Sequence, residues 1–293
     1  MQTDPIADGH IMRLVESALM EDIGAGDVTS DATLDDDARA VGEFLCKSEG
    51  VIAGLEIADL VFRLCDDQSF FKPFVADGTR VRSGQVVAMV EGRAKDVLSG
   101  ERVALNFLQR MSGIATMTRL FVDAVAGTRA KITDTRKTAP GLRALDKLAV
   151  RLGGGVNHRF GLDDMVLIKD NHIVASGGMT AAVKRCQEYI EKRGLALGIE
   201  VETGSLQEVH EALECQGIQR IMLDNFPVAR MKEAVEIING RVEVEASGGV
   251  TLETVRAIAE SGVDFISVGA LTHSVKTLDI SLELIAGAHE PHA

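Results

Sequence analysis

From about residue 130 onward one rhythm repeats. Apolar, β-rich runs occur at "AKITDT", "MVLIKD", "LGIEVE", "RIMLD", "VEVEAS" and "DFISVG". Stretches with helical apolar spacing separate them: "GLRALDKLAVRL", "MTAAVKRCQEYIEKRG", "LQEVHEALECQG", "VARMKEAVEIING" and "LETVRAIAESG". The last four runs recur about every 22 residues, a spacing that suits βα units. The alternation implies a parallel sheet. Its strands are near-continuous apolar runs, as expected where helices cover the outside.

Six such strands can form a doubly wound sheet or a (β/α) barrel. The residues just after each strand separate the two. Arg136 and Lys137 come after the first, Lys169 and Asn171 after the second, and Glu202 ends the third. Asp224 with Asn225, then Ser247-Gly248-Gly249, then Gly269 mark the rest. Every strand ends in a chemically capable residue. A barrel brings those ends to one mouth, whereas an open sheet spreads them along an edge with one useful switch point. The barrel is the reading taken, with closure left open by the count of six.

Before residue 130 the pattern differs. "HIMRLVESALMED" has helical spacing and ends at Gly24. "ARAVGEFLCKSEGVIAG" and "DGTRVRSGQVVAMVEGRAKDVLSG" read as short antiparallel strands punctuated by glycines. "GERVALNFLQRMSGIATMTRLFVDAVAG" reads as helix. An apolar content of 46% with only 5 Pro suits a compact chain, and with no Trp and one Tyr its core is aliphatic.

The chain carries a formal net charge of −13. Such a surface argues against a general binder of nucleic acid or of anionic membranes. No run of 18 apolar residues is present, so no membrane span is expected. Cys46, Cys65, Cys186 and Cys215 lie far apart with no CxxC pair, which reads as buried thiols, not a zinc site. The start "MQTDPIADGHIMRL" lacks a basic region leading into an apolar run, so no signal peptide is expected. A reducing cytoplasm fits these features.

Against that acidic background the stretch "DTRKTAPGLRALDKLAVRLGGGVNHRFGLDDMVLIKDNH" is net positive. Its fixed cations are Arg136, Lys137, Arg143, Lys147, Arg151, Arg159 and Lys169, joined by His158 and His172. Arg143, Lys147 and Arg151 are spaced by four and read as a solvated helix face. Arg136 and Lys137 end a strand, His158 and Arg159 come after "GGGVN", and Lys169 ends the next strand. These five face the mouth and suit a ligand with several negative charges. A lone His is more often structural, and its place beside Arg159 moves the balance toward function.

Two acids join them. Glu202 ends "IEVE" and Asp224 ends "IMLD", on neighbouring strand ends. Such a pair can hold a divalent cation, bind ribose hydroxyls or stabilise positive charge, and a structural ion pair with Lys169 is the alternative. "EASGGVT" and "SVGALTHS" place Ser247-Gly248-Gly249 and Gly269 after the last two strands. Loops there commonly hold phosphate on backbone N–H groups. His273 either assists or caps. The combined set suits a phosphorylated sugar meeting an acidic small molecule.

These motifs resemble the quinolinate phosphoribosyltransferase family. The long cationic stretch resembles its signature region. "EDIGAGDVTS", "GERVALNFLQRMSGIAT", "IEVET", "LDNF", "EASGGV" and "SVGALTHS" match its landmarks in order, over about residues 10 to 287. The resemblance implies an α/β fold: an N-terminal α/β sandwich-like domain over 1–115 and an incomplete (β/α) TIM-like barrel over 116–275. A C-terminal helix over 276–293 then returns to the first domain. It implies transfer of phosphoribosyl from 5-phosphoribosyl 1-diphosphate to quinolinate with Mg²⁺. Diphosphate leaves, carbon dioxide is lost, and nicotinate mononucleotide remains.

By motif position, Arg136, His158, Arg159 and Lys169 match acceptor-binding residues, Lys137 lies between the acceptor carboxylates and the diphosphate, and Thr135 and Ser267 join the substrate-binding set. Glu202 and Asp224 match the acids near ribose and Mg²⁺. Ser247, Gly248, Gly249 and Gly269 match the 5-phosphate loops. Lys137, Lys169, Glu202 and Asp224 are the catalytic set so implied. The resemblance also implies a homodimer with shared active sites, or a hexamer, in which Arg102 reaches the partner's site; from the residues alone Arg102 is a helix-surface cation.

Two other readings stand beside this one. The first is a molybdenum-transport-associated paralogue of the same fold with a different ligand, against which the intact "NHR" and "IKDNH" cluster argues. The second is a non-enzymatic anion sensor, against which the two mouth acids argue, because they repel an anion unless a metal is present.

Overall fold

The computed structural model describes residues 9–285. The chain opens with α1 (Gly9–Ile23), which buries Ile11, Val15 and Leu19 at the spacing of one helix face. α2 (Val28–Thr33) is next, capped by Asp27, whose carboxylate accepts from the Thr29 and Ser30 N–H groups. Then come β1 (Arg39–Cys46), β2 (Gly50–Val51), α3 (Leu55–Cys65), β3 (Phe70–Pro73), β4 (Arg80–Val81) and β5 (Val86–Arg93). α4 (Ala94–Ala124) starts directly after β5. The glycine-punctuated pattern places "AKDVLSG" in sheet; the structure makes it the opening turns of this 31-residue helix.

Beyond α4 come β6 (Lys131–Thr133), α5 (Arg143–Leu152), β7 (Val166–Ile168), α6 (Asp170–Ser176) and α7 (Met179–Arg193). After them are β8 (Ile199–Thr203), α8 (Leu206–Glu214), β9 (Arg220–Asp224), α9 (Val228–Ile238) and β10 (Glu243–Ser247). α10 (Val255–Glu260), β11 (Phe265–Ser267), the single turn α11 (Ala270–His273) and β12 (Ile280–Leu284) complete the described chain.

The chain divides into two compact units. Among the described residues the first comprises 9–117, 139–154 and 274–285, and the second comprises 118–138 and 155–273. Two expectations change here. The segment containing α5, placed in the barrel by the sequence rhythm, groups with the first unit. The C-terminal segment, expected as a helix, forms strand β12; residues 286–293 of it lie outside the described residues, as do residues 1–8 of the stretch read for a signal peptide. Ile280, Leu282 and Leu284 alternate, and β1 offers an antiparallel partner, so pairing wins over helix formation.

In the first unit the sheet order is β12-β1-β5-β3, and every pairing is antiparallel. β1 alternates exposed or half-buried with buried positions along its length. Phe44, Phe62 and Phe71 meet with ring centroids 5.7–6.2 Å apart, and Phe44 and Phe62 are fully buried. The returning segment lies directly on α4 at Gly113, where an added Cβ would sit 2.3 Å from the Lys276 carbonyl oxygen. Gln109 holds it as well, donating from Nε2 to the Ile280 carbonyl at 2.6 Å.

In the second unit six strands run parallel in the order β6-β11-β10-β9-β8-β7. From β7 to β11 each strand pairs with the next in sequence, and the first strand, β6, pairs with the last. A doubly wound sheet would instead reverse direction in its middle. This is a rolled sheet whose closing seam, β11 to β6, is hydrogen bonded. The break lies between β6 and β7. There Val156 makes a single parallel bridge to Thr133. The barrel is therefore incomplete between its first and second strands.

Candidate active site

The C-terminal ends of these strands enclose a cavity of about 660 Å³. Thr135, Arg136, Lys137, His158, Arg159 and Lys169 line one part of it. Glu202, Asp224, Ser247, Gly248, Gly249 and Ser267 line the rest. Leu167, Met222, Asn225 and Glu245 complete the wall. Of the substrate-site residues named from sequence, two do not line it. Arg102 is exposed on α4 in the first unit. Gly269 lies behind the wall, where its missing Cβ leaves room for His273 and for the Lys137 stem, at 3.1 and 3.3 Å.

The cations are held by short-range geometry. Lys137 N–H donates to Thr135 Oγ1 at 3.0 Å, and its carbonyl accepts from Thr272 Oγ1 at 2.9 Å. Asp134, fully buried at the end of β6, accepts from His158 N–H at 2.8 Å and from Asn157 Nδ2 at 2.6 Å. It fixes the backbone that carries His158 and Arg159, a role the sequence pattern did not single out. Arg159 Nη1 donates to the Met165 carbonyl at 3.2 Å. Burial lowers the Arg159 pKa, and the charge of Arg136 lowers it further. Two guanidinium groups that disfavour each other at the wall of one cavity favour an anion between them.

Lys169 ends β7. Its N–H donates to His172 Nδ1 at 3.0 Å, so His172 reaches back to cap α6. Lys169 Nζ meets Glu202 Oε2 at 2.5 Å. The ion pair weighed as an alternative for these residues is present, and both still face the cavity. Asp224 Oδ2 accepts from Asn225 Nδ2 at 2.7 Å.

The Arg143, Lys147 and Arg151 row is not a solvated face. Lys147 is 3% exposed, and α5 also buries Leu145, Asp146, Ala149 and Val150. Asp146 provides the reason, because Arg110 on α4 pairs with it and draws this face of α5 inward.

The Gly-Gly turn is tightly determined at its first position. Gly248 has φ +95°, and a Cβ there would lie 2.2 Å from Asn225 Oδ1 and 3.0 Å from Asn225 N. Gly249 has φ +59° with open space around it. Gly248→Ala is expected to cost about 1–3 kcal/mol of backbone strain plus the clash, and Gly249→Ala about 1 kcal/mol. Urea unfolding midpoints of the two variants measure the difference; equal midpoints would show that the turn relaxes around the added methyl.

Below the mouth lies a buried charged layer. Glu200 on β8 and Glu245 on β10 are both 0% exposed. His158 Nε2 lies 3.2 Å from Glu200 Oε2 and 3.5 Å from Glu245 Oε2. Arg220 Nη1 donates to Glu245 Oε2 at 3.0 Å and its guanidinium also pairs with Glu243. Burial and the charge of Glu200 push the Glu245 carboxyl up to about 7, against the pull of His158 and Arg220. Burial lowers the His158 pKa, but Glu200 and Glu245 outweigh it and leave the imidazole raised. Arg159 N–H donates to His158 Nδ1 at 2.8 Å, so the neutral ring carries its proton on Nε2, toward the acids. The three ligand atoms of His158, Glu200 and Glu245 lie within 4.8 Å of one another. Arg220 already supplies the cation that two buried carboxylates require.

Two family descriptions account for most of the chain. "Quinolinate phosphoribosyl transferase, N-terminal domain" matches residues 27–112, and the corresponding C-terminal domain matches residues 114–283. The chain belongs to the quinolinate phosphoribosyltransferase family. It is 50% identical over 286 residues to an Arabidopsis thaliana protein named nicotinate-nucleotide pyrophosphorylase [carboxylating], chloroplastic, covering 92% of this chain and 82% of that one. It is 43% identical over 275 residues to a Bacillus subtilis protein named probable nicotinate-nucleotide pyrophosphorylase [carboxylating], covering 94% and 93%. Its fold matches the crystal structure of NadC from Streptococcus pyogenes with a TM-score of 0.91 and 38% identity, over 97% of this chain and 99% of that one. The α/β fold expected from the family, with an antiparallel N-terminal sheet and a parallel six-stranded sheet, is the one observed. Nothing among these relatives favours the molybdenum-associated reading.

Proposed function

We propose that this protein transfers phosphoribosyl from 5-phosphoribosyl 1-diphosphate to the ring nitrogen of quinolinate, with release of diphosphate and then carbon dioxide, to give nicotinate mononucleotide. The observation that carries the reading is one cavity lined by Arg136, Lys137, Arg159 and Lys169 together with Glu202, Asp224 and the Ser247-Gly248-Gly249 turn. Arg136 and Arg159 hold the acceptor carboxylates. The turn after β10, with Ser267, receives the 5-phosphate. Glu202 and Asp224 face the ribose, where positive charge develops as the diphosphate departs. Lys137 and Lys169 lie against the acceptor and the departing anion. No group has to remove a proton from the acceptor, because a pyridine nitrogen carries none.

Glu202 and Asp224 fit a magnesium ion in donor chemistry: both are half-buried carboxylates at neighbouring strand ends, and magnesium prefers such oxygens shared with phosphates. When bound, the ion stabilises charge on the leaving diphosphate. A homodimer is part of the same reading, with the exposed Arg102 of each copy serving its partner's cavity. A cytoplasmic location is also part of it, supported by four unpaired thiols. Among the described residues no helix is long and apolar enough to cross a membrane.

The deciding experiment incubates the purified protein with 5-phosphoribosyl 1-diphosphate, Mg²⁺ and either quinolinate or nicotinate. Nicotinate mononucleotide and carbon dioxide from quinolinate alone are expected. Product from nicotinate alone would overturn the role given to the paired arginines.

A further inference from the structure

The reaction requires one proton that the roles given to the mouth residues leave unassigned. When the ribosylated intermediate loses carbon dioxide, the bond between ring carbon 2 and its carboxylate breaks. The electron pair stays on carbon 2, and a C–H bond must form there. The pair is stabilised by the adjacent cationic nitrogen, but it recaptures carbon dioxide unless a proton arrives.

Glu245 is placed for this task. It lines the cavity and is 0% exposed. Its Oε2 faces Arg220 and His158, while its Oε1 makes no well-formed hydrogen bond and the Ser267 hydroxyl is the one other donor among the described residues acting on the carboxyl. A buried carboxyl oxygen so weakly met is costly unless a ligand meets it. On β10, Glu245 shares the inward face with Ser247, two residues nearer the mouth. It therefore lies beneath the ligand, not beside it. We propose that Glu245 is the acid that protonates ring carbon 2 after carbon dioxide leaves. This rests on the phosphoribosyltransferase reading.

The step balances within the site. The Glu245 O–H bond breaks as the C–H bond forms, and the resulting carboxylate is stabilised by Arg220. When the product leaves, it takes a proton back by way of His158, which lines the same cavity and whose Nε2 lies 3.5 Å from Oε2. The groups facing Glu245 set its behaviour from every side. They are Glu200 on β8, Arg220 on β9, Ser267 on β11 and His158 on the segment between β6 and β7. Arg220 is itself held by Glu243 and stacked 3.8 Å from the Phe265 ring centroid. Burial and Glu200 keep the carboxyl protonated up to about pH 7. A bound anion raises that limit further.

The test is a single turnover with enzyme in excess over quinolinate labelled in the 2-carboxylate, timing diphosphate and carbon dioxide separately. Glu245→Gln keeps the shape and removes the acid. Its expected signature is diphosphate release within about tenfold of the parent protein. Carbon dioxide release falls by about 10²–10⁴-fold, the usual worth of a positioned acid, and a nucleotide retaining both carboxylates accumulates. Glu245→Asp recovers part of the loss. Equal slowing of both products, or no slowing of carbon dioxide, overturns the proposal. Should Glu245→Gln not fold, the parent protein decides alone. Carbon dioxide release should fall tenfold per pH unit above the limit set by Glu245, with no such limb in diphosphate release. A limb shared by both, or absent from both, overturns it. Failure of the parent protein to release diphosphate with quinolinate would instead refute the functional reading itself.

Discussion

Arg110→Met is expected to destabilise the first unit by about 3–5 kcal/mol, the usual cost of leaving a buried charge without its partner. Asp146 has 0% side-chain exposure. Arg110 meets it with two parallel bonds, Nε to Oδ1 at 2.9 Å and Nη2 to Oδ2 at 2.8 Å. Ala139 N–H adds a third at 3.3 Å. The pair ties α5 and its preceding turn to α4 within the same unit. Removing the guanidinium leaves a buried carboxylate with one weak backbone donor. Replacing both partners, Arg110→Met with Asp146→Leu, should recover most of the loss, because no orphan remains. Urea unfolding followed through the first unit's transition reads both variants. An unchanged midpoint for Arg110→Met would mean that water reaches Asp146 and that the burial is not maintained in solution.

Asp146 also shows what sequence pattern can and cannot convey. The βα rhythm was legible because each parallel strand is an apolar run with its own helix, a local signal. The mouth was legible because strand ends in a barrel converge, so Arg136, Lys169, Glu202, Asp224 and Ser247 could be gathered without knowing any distance. What stayed hidden depends on non-local partners. Lys147 and Asp146 look like surface residues by type, and Asp146 can be buried because Arg110 on another helix pairs with it. β12 escapes a local reading because its pairing partner, β1, is more than 200 residues away in sequence. Glu245 was hidden because "VEVEAS" reads as one of the apolar, β-rich runs, whatever its acids. The alternation that puts Ser247 at the mouth also puts Glu245 below it, and Glu200 stands in the same relation to Glu202. That inward spacing was the available signal for the buried acids. Asp134 had none, because its role is to bind the backbone of a segment more than 20 residues on.

Arg159→Ala is expected to raise the KM for quinolinate by about 10²-fold while the KM for 5-phosphoribosyl 1-diphosphate stays within about twofold. The magnitude is that of one charge-assisted, fork-shaped contact to a carboxylate, about 3 kcal/mol. Arg159 is the residue to choose because its surroundings already disfavour its charge. Burial and Arg136 both lower its pKa, opposed by Glu200 and Asp164. A guanidinium in that position gains most when a carboxylate arrives. Its backbone is held through His158, so truncating the side chain leaves the wall in place. Arg159→Lys should recover only part of the affinity, because an ammonium keeps the charge but lacks the planar fork. Steady-state kinetics with each substrate varied at saturating levels of the other separate the two constants. A parallel rise in both would place Arg159 between the substrates, and the division of the cavity into an acceptor wall and a donor wall would have to be redrawn around Lys169 and Glu202, whose 2.5 Å pair already joins them.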